Sequence, residues 1–223
     1  ALKMKLQFEE CLQKLQVLIN DYELLKDYRS LLKCHITSAL CHYNLGNLKV
    51  AFELTNQYEH LCQQYQLPIV PTDYFPLLGL QYMYKGNSEK AIKYYNLAGE
   101  DALNHKLYTK FISVKKHVAI VASQLLEFDV ALEALKEAKS YLSYMSEDDI
   151  NHIELYLVEA NIYLDMGDLE RVKILLNYVK THPMLGLYPV THSLYNEYYA
   201  KYFFKANEYE QAYDSAIKGL ELL

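Results

Sequence analysis

The side chains able to do chemistry in this 223-residue chain are few and clustered. Cys11, Cys34, Cys41 and Cys62 interleave with His35, His42 and His60, an arrangement that invites comparison with a metal site. Tetrahedral zinc sites draw on tight ligand pairs such as C-x-x-C, and the sequence contains none, so no metal and no cofactor are expected. Each cysteine falls inside a helical pattern, which suits reduced thiols acting as small apolar fillers in a cytoplasmic setting. The acidic run SEDD at 146–149 could attract a cation, but it reads as the opening of a helix, where acids favour the dipole, and no EF-hand ligand ladder follows. No phosphate-cradling glycine loop, H-E-x-x-H or G-x-S-x-G occurs in the sequence, so no catalytic residue is nominated and the chain is not expected to be an enzyme. What remains is recognition chemistry. With 23 Tyr against 7 Phe and no Trp, most of the aromatic volume carries a hydroxyl. Such rings either sit in a core with the hydroxyl at its margin or line a groove that takes a peptide.

The elements that must position these groups follow from composition. Acids outnumber bases, 28 to 22, which argues against a nucleic-acid surface, because phosphate neutralisation needs clustered Lys and Arg. No apolar run approaches the roughly 18 to 20 residues needed to cross a bilayer, and the start, ALKMKLQFEE, lacks the apolar stretch of a signal peptide. A soluble chain with no membrane partner is expected. Only 7 Gly and 5 Pro leave little turn material for an all-β fold or a glycine-loop cofactor fold, so helices should dominate.

Those helices repeat. Small residues recur at Ala39, Gly79, Ala119, Ala160 and Ala200, and again at Ala51, Ala91, Ala131, Val172 and Ala212, in steps of 40 or 41 residues. Ala and Gly make up 23 of the 223 residues yet fill nine of these ten positions. Two antiparallel helices joined by a tight turn approach closely only where a small side chain stands between their backbones. Gly46, Gly86, Gly167 and Asn207 occupy the turn, as residues that tolerate the left-handed conformation ending a helix. Leu126 takes that place in the third unit, where the turn is expected to be made differently. Asp73 and Ser146 are predicted N-caps, and Pro189 a first helical residue.

The spacing and residue types resemble the tetratricopeptide repeat family. The match rests on Gly79, Tyr82, Gly86, Ala91, Tyr95 and Ala98, on Ala160, Tyr163 and Gly167, and on Ala200, Phe203, Tyr209 and Ala212. The expected fold is an all-α superhelix, a solenoid of antiparallel helix pairs with repeats at 32–71, 72–111, 112–152, 153–192 and 193–223. Residues 1–31 read as the second helix of a truncated leading unit plus a linker. The chain is therefore expected to be a segment of a longer protein. The family's usual period is about 34 residues; the surplus here is expected between repeats, in longer helices or longer connecting loops, as in 67–76 and 181–190. Longer periods of this kind look like those of bacterial signalling and regulatory proteins.

In such arrays the first helix of each pair faces the binding groove. The resemblance then nominates Tyr43 and Asn44, Met83 and Tyr84, Lys116, Ile120 and Gln124, Leu157 and Asn161, and Glu197, Lys201, Phe204 and Lys205. Asn44 and Asn161 would clamp a peptide backbone, while Lys116, Lys201 and Lys205 would meet a carboxylate. The variant that clamps chaperone tails has Lys and Asn where this chain has Ile36 and Leu40, so that ligand is not expected. The function this implies is a peptide- or protein-binding sensor or interaction domain of a bacterial regulatory protein. Two alternatives stand beside it: a homodimerising scaffold using tyrosine-rich faces such as Tyr195, Tyr198, Tyr199 and Tyr202, or the regulatory domain of a nucleotide cyclase (GGDEF-type) or kinase.

Overall fold

The computed structural model describes residues 2–222. Among them are eleven α-helices and no strand: α1 (Leu2–Leu25), α2 (Tyr28–Asn44), α3 (Leu48–Gln64), α4 (Pro71–Tyr84), α5 (Ser88–Asn104), α6 (Tyr108–Gln124), α7 (Phe128–Ser140), α8 (Asn151–Met166), α9 (Leu169–Thr181), α10 (Pro189–Lys205) and α11 (Tyr209–Glu221). The chain divides near the end of α5 into two compact units, residues 2–101 and the part from Ala102 onward. In the first, α2 packs on α1, α3 and α4; in the second, α6 pairs with α7, α8 with α9 and α10 with α11, with α8 also against α6, α7 and α10. The fold is all-α, built from successive helix pairs.

The small-residue ladder sits where the repeat argument requires. Ala39, Ala51, Ala91, Ala119, Ala131, Ala160 and Val172 are at most 1% exposed, Gly79 is buried and Ala212 nearly so, while Ala200 is half-buried. Gly79 shows why size matters: a Cβ there would stand 2.5 Å from the ring of Tyr95 on α5. No real Cβ contact is that short, so α4 and α5 approach this closely only because the side chain is absent.

Turns within pairs use one device throughout. Gly46, Gly86 and Gly167 have φ of 77°, 72° and 80°, and Asn207 and Leu126 both have 63°. The expectation of a different turn at Leu126 is therefore wrong. Glu127 N donates to Ala122 O at 3.0 Å, just as Asn47 N donates to His42 O at 2.9 Å after Gly46. The hydrogen bonds that close the helix outweigh the roughly 1–2 kcal/mol that a left-handed leucine costs. The same geometry recurs between pairs at Lys26, Gln66 and Lys106. Left-handed residues thus fall at 26, 46, 66, 86, 106 and 126, one every twenty residues.

Other local expectations are corrected. The long period has two sources: α2, α3, α5, α6 and α10 each run 17 residues, whereas after α7 and α9 the connections at 141–150 and 182–188 supply the length. Of the stretch 67–76 only 67–70 is a connection, since α4 begins at Pro71. Asp73 lies inside the first turn of α4 rather than capping it; the N-cap is Val70. Ser146 and the acids after it form a turn before α8, in which Ser146 Oγ accepts from Asp148 N at 3.4 Å. The side-chain caps are instead Asp27, Asn87 and Asp168, which accept from Ser30, Lys90 and Arg171 N–H groups. Pro189 is at the first turn of α10, as expected.

Tyr58 and Tyr74 place their rings in the core and their hydroxyls at its margin. Tyr58, 3% exposed, accepts from Val70 N at 3.3 Å, and Tyr74, also 3% exposed, donates to Glu59 at 3.1 Å. No helix among the described residues is long and apolar enough to cross a membrane.

Candidate functional site

In residues 2–101, the nominated groups stand at the C-terminal ends of α2 and α4. Tyr43 is half-buried, and burial pushes its hydroxyl pKa up. Asn44 is exposed, but its Nδ2 donates to Leu40 O at 2.8 Å, so its donor is engaged on its own helix and its oxygen is the part free to act as a clamp. Met83 is half-buried; Tyr84 is 65% exposed, its ring 5.8 Å from that of Phe52.

From Ala102 onward, Lys116 on α6 forms an ion pair with Glu154 on α8 and so ties two first helices together. Gln124 is exposed, and Ile120 and Asn161 are half-buried. Leu157 is fully buried in the core shared by α8, α9 and α10, and so does not line a groove as expected. Helical periodicity explains the misplacement: Leu157 shares a face with the small residue Ala160 and with Leu164, which look inward.

The structure brings three nominated residues together. Lys201, Phe204 and Lys205 line a shallow cavity of about 500 Å³ with Tyr209 and Tyr213. Phe204 is 64% exposed, its ring edge-on to Tyr209 at 5.5 Å. Lys201 pairs with Glu197 at 2.6 Å and lies 5.2 Å from the ring of Tyr198. This exposed pair is worth at most about 1 kcal/mol, so either lysine can turn to an incoming carboxylate. Chemically the cavity offers an apolar wall and two ammonium groups. It offers no nucleophile–base arrangement.

The cysteines are free thiols; Cys34, Cys41 and Cys62 are buried and Cys11 partly so. Burial raises the pKa of all three buried thiols, that of Cys41 to about 11, which holds them in the unreactive protonated form. Among the described residues no group of three or more His, Cys, Asp or Glu is placed to hold a metal ion.

A second cavity, of about 540 Å³, was not anticipated from the sequence. It lies between the end of α9, α10 and α11, and is lined in part by Lys180, Tyr199, Phe203 and Lys218. Comparing residues of successive pairs at the 40-residue step would have found it, because small residues replace bulky ones there.

No protein-family profile matches the chain, and no curated protein matches it. Among solved structures it is similar to BtubC (BKLC) from P. vanneervenii, with a TM-score of 0.67 and 17% identity over 99% of this chain and 89% of that one. At that identity the likeness is one of fold.

Proposed function

We propose that this chain is a helical-repeat module of the tetratricopeptide type that binds a peptide or protein segment. In this reading it is the sensor or interaction part of a cytoplasmic bacterial signalling or transcription-regulatory protein. The observation that carries it is the clustering of Phe204, Lys201 and Lys205 around one open cavity on α10 and α11. An apolar ligand side chain would rest against Phe204 and Tyr213 while its carboxylate meets Lys205. Binding would bias the packing of one helix pair on the next and so carry a signal along the chain.

Selection from a random peptide display library tests this, with the Phe204→Ala/Lys205→Ala double variant as counter-target. Peptides enriched on the parent and weakened about tenfold or more on the variant support the groove. No enrichment, or equal binding to both proteins, removes it.

One observation favours a scaffold as the second reading, through a face other than the expected tyrosines of α10, since Tyr195 and Tyr202 are buried in the core and Tyr198 and Tyr199 pack against it. Phe204, Tyr209, Tyr213, Ile217 and Leu220 form an exposed apolar ridge on the same pair. A dimer by light scattering that Tyr213→Asp converts to monomer supports that reading; a monomer at millimolar concentration removes it.

A further inference from the structure

The 40-residue step allows pair α8–α9 to be compared with pair α10–α11 position by position. In the earlier pair the space between α8 and α9 is filled, and an opening of about 540 Å³ lies beside it, between α7 and α8, lined in part by Lys136, Lys139, Glu159 and Tyr163. Tyr156 meets Tyr178 with ring centroids 4.3 Å apart, and Leu175 packs on the same core. The entering cation, Lys139, lies 3.9 Å from the Tyr156 ring and is neutralised by Glu159.

One step later four of the five residues Tyr156, Leu175, Tyr178, Lys139 and Glu159 change, and the lysine stays. Asn196 stands for Tyr156, Ser215 for Leu175, Lys218 for Tyr178 and Tyr199 for Glu159. The first two exchanges remove bulk, and a cavity of about 540 Å³ opens between α9, α10 and α11. The last two alter its charge. Lys180, the counterpart of Lys139, now has a tyrosine ring 6.0 Å away in place of a carboxylate. Among the described residues neither Lys180 nor Lys218 forms an ion pair.

We propose that this cavity is a binding site for an acidic polypeptide segment that carries a large apolar side chain. Tyr195, Tyr199 and Phe203, at successive turns of α10, form an aromatic wall: Tyr195 and Tyr199 stack at 5.4 Å, and Phe203 stands edge-on to Tyr199 at 4.6 Å. Such a wall takes a phenylalanine or leucine side chain. Lys180 and Lys218 take the flanking carboxylates. Asn196 Nδ2 donates to His192 O at 2.9 Å, which leaves its oxygen for a peptide N–H. Asp214 is the one carboxylate on the lining. It leaves a small net positive charge, which suits single acidic side chains and disfavours a polyphosphate. With 3.6 residues per turn, Tyr195, Tyr199 and Phe203 lie on the opposite face of α10 from Lys201 and Phe204, so this site is separate from the groove.

The test is titration calorimetry of the whole chain with a blocked five-residue peptide of four glutamates around a central phenylalanine. Controls replace the glutamates by lysines, or the phenylalanine by glycine. The expected result is saturable binding, weakened about tenfold or more in both controls and in Lys180→Ala/Lys218→Ala. Asn196→Tyr/Ser215→Leu, which refills the space as in the preceding pair, should abolish binding with unchanged far-ultraviolet circular dichroism. If that variant fails to fold, the lysine pair alone decides. In a Phe204→Ala/Lys205→Ala background, which removes the groove, the loss through Lys180→Ala/Lys218→Ala should be the same, so the outcome does not depend on whether the groove has a ligand. Absence of saturable binding up to millimolar peptide, equal affinity for the lysine peptide, or loss through the Phe204/Lys205 variant in place of the lysine pair would overturn the proposal.

Discussion

Helix pairs in this protein are joined in two ways. At Lys26, Gln66 and Lys106 one left-handed residue ends the helix, and backbone hydrogen bonds such as Leu107 N to Ala102 O, 2.8 Å, close the turn. Farther along, the connections run through 3₁₀ segments, Leu142–Tyr144 and Pro183–Leu187. These are anchored by side chains: Leu142 is buried, Met184 and Leu185 are each 5% exposed, and Tyr141 and Tyr144 gather around Tyr108. The contrast shows that a turn closed by the backbone places almost no demand on residue type, whereas an irregular connection must be tied down by particular side chains.

Substitutions can break that contrast. The largest effect is expected at Met184, which belongs to the core shared by α8, α9 and α10. Met184→Ala should cost about 2–4 kcal/mol in urea unfolding, against less than about 0.5 kcal/mol for Gln66→Ala, whose side chain is exposed. Comparable losses at both sites would contradict the two-way division.

A smaller, two-signed effect concerns the left-handed residues themselves. Leu126→Gly should stabilise by about 1 kcal/mol because it relieves a side chain held at φ 63°, while Gly86→Ala should destabilise by a similar amount. Thermal melts of the pair, measured side by side, check both signs; equal signs would mean that turn conformation is not what limits stability.

The smallest effect is electrostatic. His182 caps the second 3₁₀ segment, its Nδ1 accepting from Met184 N at 3.3 Å. Burial pushes its pKa down, and His152, whose ring is 6.3 Å away, pushes the same way. A histidine with a depressed folded pKa binds fewer protons folded than unfolded, so its contribution is lost as pH falls below the ordinary value of about 6.5. Burial also lowers the pKa of His35 and His117, so the chain should lose stability between pH 7 and 5, and His182→Asn, which retains a cap acceptor, should lessen that slope without removing it in chemical melts at the two pH values.

These contrasts also explain what the sequence could reveal. The small-residue ladder was legible because steric exclusion at a helix crossing admits few residue types, as Gly79 against Tyr95 shows. Turns at Gly46, Gly86 and Gly167 were legible for the same reason. The turn at Leu126 was legible in position but not in conformation, and those at Lys26, Gln66 and Lys106 were hidden, since hydrogen bonding alone enforces them. For the candidate site, Phe204, Lys201 and Lys205 could be nominated from the resemblance to the repeat family. The engagement of Lys116 by Glu154 could not, because it depends on how one first helix stacks on the next, 38 residues away. The second cavity left its trace as a difference between pairs, and a search for what the repeats share passes over such differences.

The twenty-residue cadence of left-handed positions has a consequence for how such a protein changes over generations. Each turn is closed by hydrogen bonds among its own six or so residues. Duplication or loss of one forty-residue block would therefore leave the internal bonding of every other pair as it was. Only the two contacts at the splice would need mending. Length is then a quantity that a single recombination event can reset, whereas side chains that meet the next pair, such as Lys116 and Glu154, must change together.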